Sequence, residues 1–285
     1  MGVSIELQKK IDRAIKLIQA AGKKAAEAGQ PLEVAYSGGK DSDVILELTR
    51  MAGVEYRAIY KNTTIDPPGT IKHARERGAE ILQPKMNFRQ IIETKGLPNR
   101  FRRFCCSVLK EYRVLDYAIV GVRRDESRAR KERYKEPEAC RVYSKTEKIR
   151  QYYPILDWSK EDVAAFLTYR GVKCAPIYYD EQGKFHPERR LGYMCCPMAS
   201  DRKRLQDFKD HPLMVRLYTR AANVFLSSHQ NNKASKTFND GYEMVFHTIF
   251  CKDCSKIFNE KTQATMFDGR LDCKQFLEKY FNVKL

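Results

Sequence analysis

The chain has 285 residues, 42% of them hydrophobic, which suffices for one large domain or a domain with an appendage and is too much for a disordered chain. Fifty-three basic against 36 acidic residues give a net charge of +17, which favours phosphate-bearing partners from small polyanions to nucleic acid. No apolar run approaches the roughly 18 residues of a spanning helix, so no membrane partner is expected. Residues 1–10 lack the apolar stretch of a secretory signal, which makes the expected location cytoplasmic.

Leu7, Ile11, Ile15 and Ile18 recur at helical spacing and predict an opening helix that ends near Gly22. A strand over 32–36 then leads into a glycine turn. Val44, Ile45, Leu48 and Met51 give the following helix its apolar side, and Gly53 ends it. Strands are expected over 56–60, 79–82 and 117–122, and helices over 70–77 and 88–94. The charged stretch 124–150 reads as a long surface excursion. Ser159 with Asp162 three residues later predicts a capped helix that buries Val163, Phe166 and Leu167 and ends by Gly171. From about Leu205 the strand punctuation stops, and 213–225 and 273–281 read as helices. The expected class is therefore α/β: a parallel twisted sheet with helices on both faces over 1–204, and a smaller helical region over 205–285.

The turn Ser37-Gly38-Gly39-Lys40-Asp41-Ser42 lies between a strand and a helix. Its glycines let backbone N–H groups approach phosphate oxygens, and the helix behind adds its positive end. Lys40 can neutralise charge, Ser37 and Ser42 add hydroxyls, and Asp41 can orient Lys40 or hold a magnesium ion. The Gly-x-x-x-x-Gly-Lys spacing of the Walker loop is missing. Arg123, after a buried strand, can grip sulfate or phosphate with two parallel bonds, with Glu126 fixing it and Arg130 as a second contact. Lys110 stands beside Cys105 and Cys106 and can meet the same anion.

Nine cysteines in a chain without a secretion signal argue against a disulfide framework. The adjacent pairs Cys105-Cys106 and Cys195-Cys196, with Cys140, point to a metal or an iron–sulfur cluster; tetrahedral zinc and buried structural thiols are the alternatives. Cys251-x-x-Cys254, with Cys273 and His247, can compose a separate zinc site, although a single pair is a weak signal. Trp158, the sole tryptophan, reads as a packing anchor.

These motifs resemble the phosphoadenosine phosphosulfate (PAPS) reductase group of the adenine nucleotide alpha-hydrolase superfamily. The resemblance covers residues 30–200. Ser37 to Ser42 looks like its phosphate loop, and Asn62-Thr63-Thr64-Ile65-Asp66 looks like its strand-end substrate loop. Cys105-Cys106-Ser107-Val108-Leu109-Lys110 resembles its cysteine–lysine element, and Gly121-Val122-Arg123 with Glu126-Ser127 and Arg130 its arginine loop. Tyr153 to Ser159 and Arg190-Leu191-Gly192 to Cys196-Pro197 match later segments. The resemblance implies an adenine nucleotide (ATP or an adenosine phosphosulfate), a [4Fe-4S] cluster and a redox partner. It departs where Tyr193 replaces the first late cysteine. Any four of Cys105, Cys106, Cys140, Cys195 and Cys196 supply the required thiolates. The Glu-Cys-Gly-type tail of assimilatory reductases is not matched by the residues 280–285. Three readings follow: an enzyme of sulfur transfer or activated-sulfur reduction, an ATP-dependent adenylating sulfurtransferase acting on nucleic acid with magnesium, and a non-catalytic nucleotide- or nucleic-acid-sensing module. The basic stretch 123–133 is the expected nucleic-acid contact.

Overall fold

A computed structural model describes residues 2–143, 147–250 and 272–285. In chain order its elements are α1 (Ile5–Glu27), β1 (Leu32–Ala35), α2 (Lys40–Ala52), β2 (Tyr56–Lys61), α3 (Thr70–Glu76), β3 (Glu80–Leu82), α4 (Phe88–Lys95) and α5 (Phe104–Leu109). There follow β4 (Tyr117–Val120), α6 (Arg128–Arg133), β5 (Glu138–Val142), β6 (Lys148–Tyr152) and α7 (Lys160–Tyr169). The chain closes with α8 (Asp201–Asp210), α9 (Leu213–Ser228), α10 (Lys233–Thr237), α11 (Gly241–Val245), a wide helical turn Phe246–Phe250, and α12 (Cys273–Phe281). Two compact units result: a sheet unit of residues 1–62, 67–83 and 110–191, and a helical unit of residues 63–66, 84–109 and 192–285.

The sheet unit is an α/β fold around a six-stranded sheet of order β3-β2-β1-β4-β6-β5. All neighbours run parallel except the edge pair β5–β6. Strand order reverses between β1 and β4, and in open α/β sheets ligands bind at the carboxyl ends of such a pair. Leu32 and Val34 of β1 pack with Ile11 and Ile18 of α1, Val44 and Leu48 of α2, and Phe166 of α7 in one apolar cluster. Glu33, on the opposite side by strand alternation, is buried 3.8 Å from Lys61. Burial pushes the Glu33 carboxyl above its usual range, against the pull of Lys61, and pushes the Lys61 amine below its own.

Three local features differ from the sequence reading. α1 runs through Gly22 to Glu27, because that glycine is a packing site: a Cβ there would stand 2.7 Å from Val54 Cγ1. The charged stretch 124–150 contains β5 and the start of β6. In β6 the exposed Lys148 and Arg150 flank the buried Ile149, a half-buried alternation that charge conceals. Residues 84–109 and 192–204 pack with the helices of 205–285, where Phe88, Ile91, Cys105, Phe208 and Tyr218 share one apolar cluster. Among the described residues no helix is long and apolar enough to cross a membrane.

Candidate functional site

The 37–42 loop joins β1 to α2 at the carboxyl end of β1. Gly38 has φ +76°, and a Cβ on it would lie 2.7 Å from Thr70 Cγ2, so both backbone conformation and space require glycine. Gly39 is the extended residue before α2, and no side chain caps that helix there. The Ser42 hydroxyl donates to the Gly39 carbonyl at 2.7 Å and accepts from the Ser37 hydroxyl at 3.3 Å. Ser37 is exposed whereas Ser42 is buried, so Ser37 is the hydroxyl open to a ligand.

Lys40 and Arg123 are held by the same carboxylate. Arg123 Nε donates to Asp41 Oδ1 at 2.6 Å, and Lys40 Nζ lies 3.6 Å from Asp41 Oδ2. Lys40 Nζ also donates to the Arg189 carbonyl at 3.4 Å and sits over the Tyr178 ring. Arg123, only 4% exposed, donates further to Asp125 and to the Trp158 carbonyl. Gly121 permits this junction, since a Cβ there would be 3.0 Å from the Asp41 carbonyl oxygen. Lys40 and Arg123, fixed by Asp41 and Asp125, stand beside the N-terminus of α2, whose amides and positive dipole end suit phosphate.

Several expected partnerships are reassigned. Glu126 does not orient Arg123, which Asp41 and Asp125 hold; it pairs with Arg130 Nη1 at 2.5 Å. Ser127 caps α6 by accepting from the Arg130 amide. Asp41 uses both oxygens on Arg123 and Lys40, which is the orienting role. Asn62 Nδ2 donates to Gln83 at 2.8 Å. In the helical unit the Thr63 amide donates to Asp66, and the buried Thr63 hydroxyl has no partner among the described residues. Lys110 is half-buried, and its carbonyl accepts from Lys61. Trp158 is buried edge-on to Phe166, as a packing anchor.

Two features escaped the sequence reading. The Tyr178 hydroxyl accepts from the Lys40 amide at 3.2 Å and from the Leu191 amide at 3.3 Å, tying the phosphate loop to the 176–191 segment. Burial pushes its pKa up to about 12. Asp43, fully buried on α2, accepts from the Tyr36 hydroxyl at 2.6 Å and meets His73 Nε2 at 3.1 Å and Arg77 Nε at 3.4 Å. Burial, with the Asp43 charge, pushes the Tyr36 hydroxyl well up. The available signal for Asp43 was an acid on the apolar side of α2, between Ser42 and Val44.

The helical unit gathers four of the five candidate thiols: Cys105, Cys106 and Cys195 are buried, and Cys196 is partly so. A hydrogen bond with Cys106, then burial, then the charges of Cys106 and Cys196 push the Cys105 thiol well up. Burial does the same to Cys195, whose backbone holds a left-handed φ of +51° and whose carbonyl accepts from the Tyr218 hydroxyl at 2.7 Å. Such a backbone in a residue with a side chain is held by its surroundings. Cys140 lies elsewhere, exposed on the edge strand β5 of the sheet unit. Among the described residues no three Cys, His, Asp or Glu side chains stand at metal-ligating separations. Cys251 and Cys254 lie outside the described residues; Cys273 opens α12, and burial raises its pKa to about 11.

The pattern of the phosphoadenosine phosphosulfate reductase domain matches residues 31–257. The chain belongs to that family. An uncharacterized protein of Methanocaldococcus jannaschii is 29% identical over 182 residues, which span 59% of this chain and 42% of that protein's length. Sulfate adenylyltransferase subunit 2 of Mycolicibacterium vanbaalenii is 26% identical over 221 residues, 67% of this chain and 69% of that subunit. Among solved structures, PAPS reductase from Candida auris in a phosphate complex superposes with a TM-score of 0.44 at 16% identity, covering 68% of this chain and 97% of that one.

Proposed function

We propose that this chain binds an adenine nucleotide with its phosphates on the 37–42 loop and acts in sulfur transfer or in reduction of an activated sulfur group. The observation that carries the reading is the joint fixing of Lys40 and Arg123 by Asp41 at the N-terminus of α2. Both cations are buried, so their charge is weakly screened, and a phosphate or phosphosulfate arriving there meets donors already in place. Family membership supports sulfur-related nucleotide chemistry.

The likeness to sulfate adenylyltransferase subunit 2 favours a second reading, in which bound ATP is attacked at its alpha-phosphate. Lys40 and Arg123 would then stabilise the charge that develops on the departing pyrophosphate, with magnesium accompanying the nucleotide. Pyrophosphate release from ATP in the presence of a sulfur-containing acceptor supports this reading. Sulfite release from an adenosine phosphosulfate with a dithiol supports the first. Nucleotide binding with neither product leaves a sensing module.

A [4Fe-4S] cluster is part of the proposal. Cys105, Cys106 and Cys195 share one apolar cluster, and the partly buried Cys196 interacts with Cys105; these four suit an all-sulfur ligand set and would hold the cluster once their side chains turned to a common centre. A bound cluster would supply electron transfer. Protein purified without oxygen should carry about four irons per chain, and Cys196→Ser should lose most of them. Zinc in place of iron, or no metal after anaerobic reconstitution, contradicts this.

A further inference from the structure

We propose that the turn 99–103 of the helical unit docks an unpaired nucleic-acid strand, with Phe101 stacking on a base and the neighbouring arginines meeting its phosphates. Phe101 is 96% exposed, more than any other large hydrophobic residue among those described. The ring nevertheless sits on an ordered turn. The Asn99 amide donates to the Arg102 carbonyl at 3.2 Å and the Arg102 amide donates back at 3.1 Å. Asn99 Oδ1 accepts from the amides of Phe101 and Arg102, each at 2.9 Å. Four hydrogen bonds thus fix a backbone whose apex side chain contributes nothing to the core.

The surroundings are cationic. Arg100, Arg102 and Arg103 are all exposed, and so is Arg202 in the first turn of α8. Asp201 is the carboxylate beside them, and it accepts from Arg100 at 3.3 Å and from Arg204 at 3.1 Å. Arg102 lies over the Phe104 ring, 5.8 Å from its centroid, which gives its guanidinium a fixed place on the turn. A single exposed ring offers little of the contiguous apolar area found at the centre of a protein interface. It fits the pairing used on single strands, in which an aromatic face takes any base and flanking cations track the backbone. An unpaired strand is specified because a base inside a duplex offers no open face for stacking. This placement is independent of the nucleotide reading, and it differs from the nucleic-acid contact expected on 123–133.

The test is fluorescence anisotropy of the full chain with fluorescein-labelled 12-nucleotide oligo(dT) and oligo(U), and with a 12-base-pair duplex, at low and moderate salt. Single strands should bind more tightly than the duplex. Phe101→Ala should weaken single-strand binding about tenfold or more, with an unchanged circular dichroism spectrum. Arg102→Ala with Arg103→Ala should lower the slope of log affinity against log salt by about 1.4, at roughly 0.7 for each phosphate no longer neutralised. Arg128→Ala with Lys131→Ala, on α6, should leave single-strand binding unchanged, and ATP binding by Phe101→Ala should match the parent chain. Unchanged affinity in Phe101→Ala, equal or tighter duplex binding, no binding at low salt, or loss of binding in the α6 variant would each overturn the proposal.

Discussion

Replacing Tyr178 with phenylalanine removes one oxygen and keeps the ring. That oxygen accepts two backbone amides, Lys40 at 3.2 Å and Leu191 at 3.3 Å, and no other bond of the described structure joins the phosphate-loop backbone to the 176–191 segment so directly. Both bonds are long, so each contributes at the lower end of the usual range, and the pair is worth about 1–2 kcal/mol. If the phenol positions the loop for phosphate, that energy is lost from nucleotide binding, and Kd rises about 5- to 30-fold. The ring should keep its contact with Lys40 Nζ, so the fold should persist. Calorimetric titration of ATP into Tyr178→Phe and the parent chain, beside thermal unfolding of both, separates the two effects. Tighter ATP binding in the variant would refute the reasoning, because it would mean that the phenol competes with phosphate for the Lys40 amide.

Two further outcomes follow from packing and charge. Gly121→Ala places a methyl group 3.0 Å from the Asp41 carbonyl oxygen, where it must displace backbone; overpacking of this kind costs about 1–3 kcal/mol, so chemical denaturation should show a loss of stability and calorimetry a weaker ATP site. Lys10 and Asp162 pair at 2.6 Å between α1 and α7. The Asp162 hydrogen bond raises the Lys10 pKa, while burial, which would raise that of Asp162, is outweighed by Lys10 and the Ser159 amide, which lower it. The carboxylate's contribution is therefore present above about pH 4 and lost as pH falls through its depressed folded value; the amine's is present below about pH 10 and lost as pH rises through its elevated one. Lys10→Ala should accordingly lower the thermal midpoint between these limits by an amount worth no more than about 1 kcal/mol and flatten the acid limb of the stability profile; an unchanged profile would contradict the pairing.

Local signals were legible wherever neighbouring residues carried them. The Gly-Gly turn between β1 and an amphipathic α2, the Ser159–Asp162 capping box and the apolar spacing of α12 all lie within a few residues of what they specify. β6 was hidden because its exposed positions hold Lys148 and Arg150, so that charge masked a period-two pattern, and β5 because, as an edge strand, it buries no residue fully. Gly22 read as a terminator because nothing nearby shows that Val54 packs against it. Within the site, Ser37 to Ser42 and Arg123 were found as motifs, but their geometry was not. The carboxylate that fixes Arg123 is 82 residues away in the chain, and the phenol that fixes Lys40 is 138 away. The thiols show the same limit: clustering in sequence separated neither Cys140, on the sheet edge, nor Cys195, with its left-handed backbone, from the rest.

Binding of adenine-nucleotide phosphates on the 37–42 loop underlies the proposed function. It is tested most directly by calorimetric titration of ATP, and separately of an adenosine phosphosulfate, into the parent chain and into Ser37→Ala with Lys40→Ala. The parent chain should show one saturable site for at least one of these nucleotides. The double variant should give no measurable heat, while its circular dichroism and unfolding midpoint stay close to those of the parent. Binding of either nucleotide by the folded double variant at the parent affinity would contradict this placement of the phosphates.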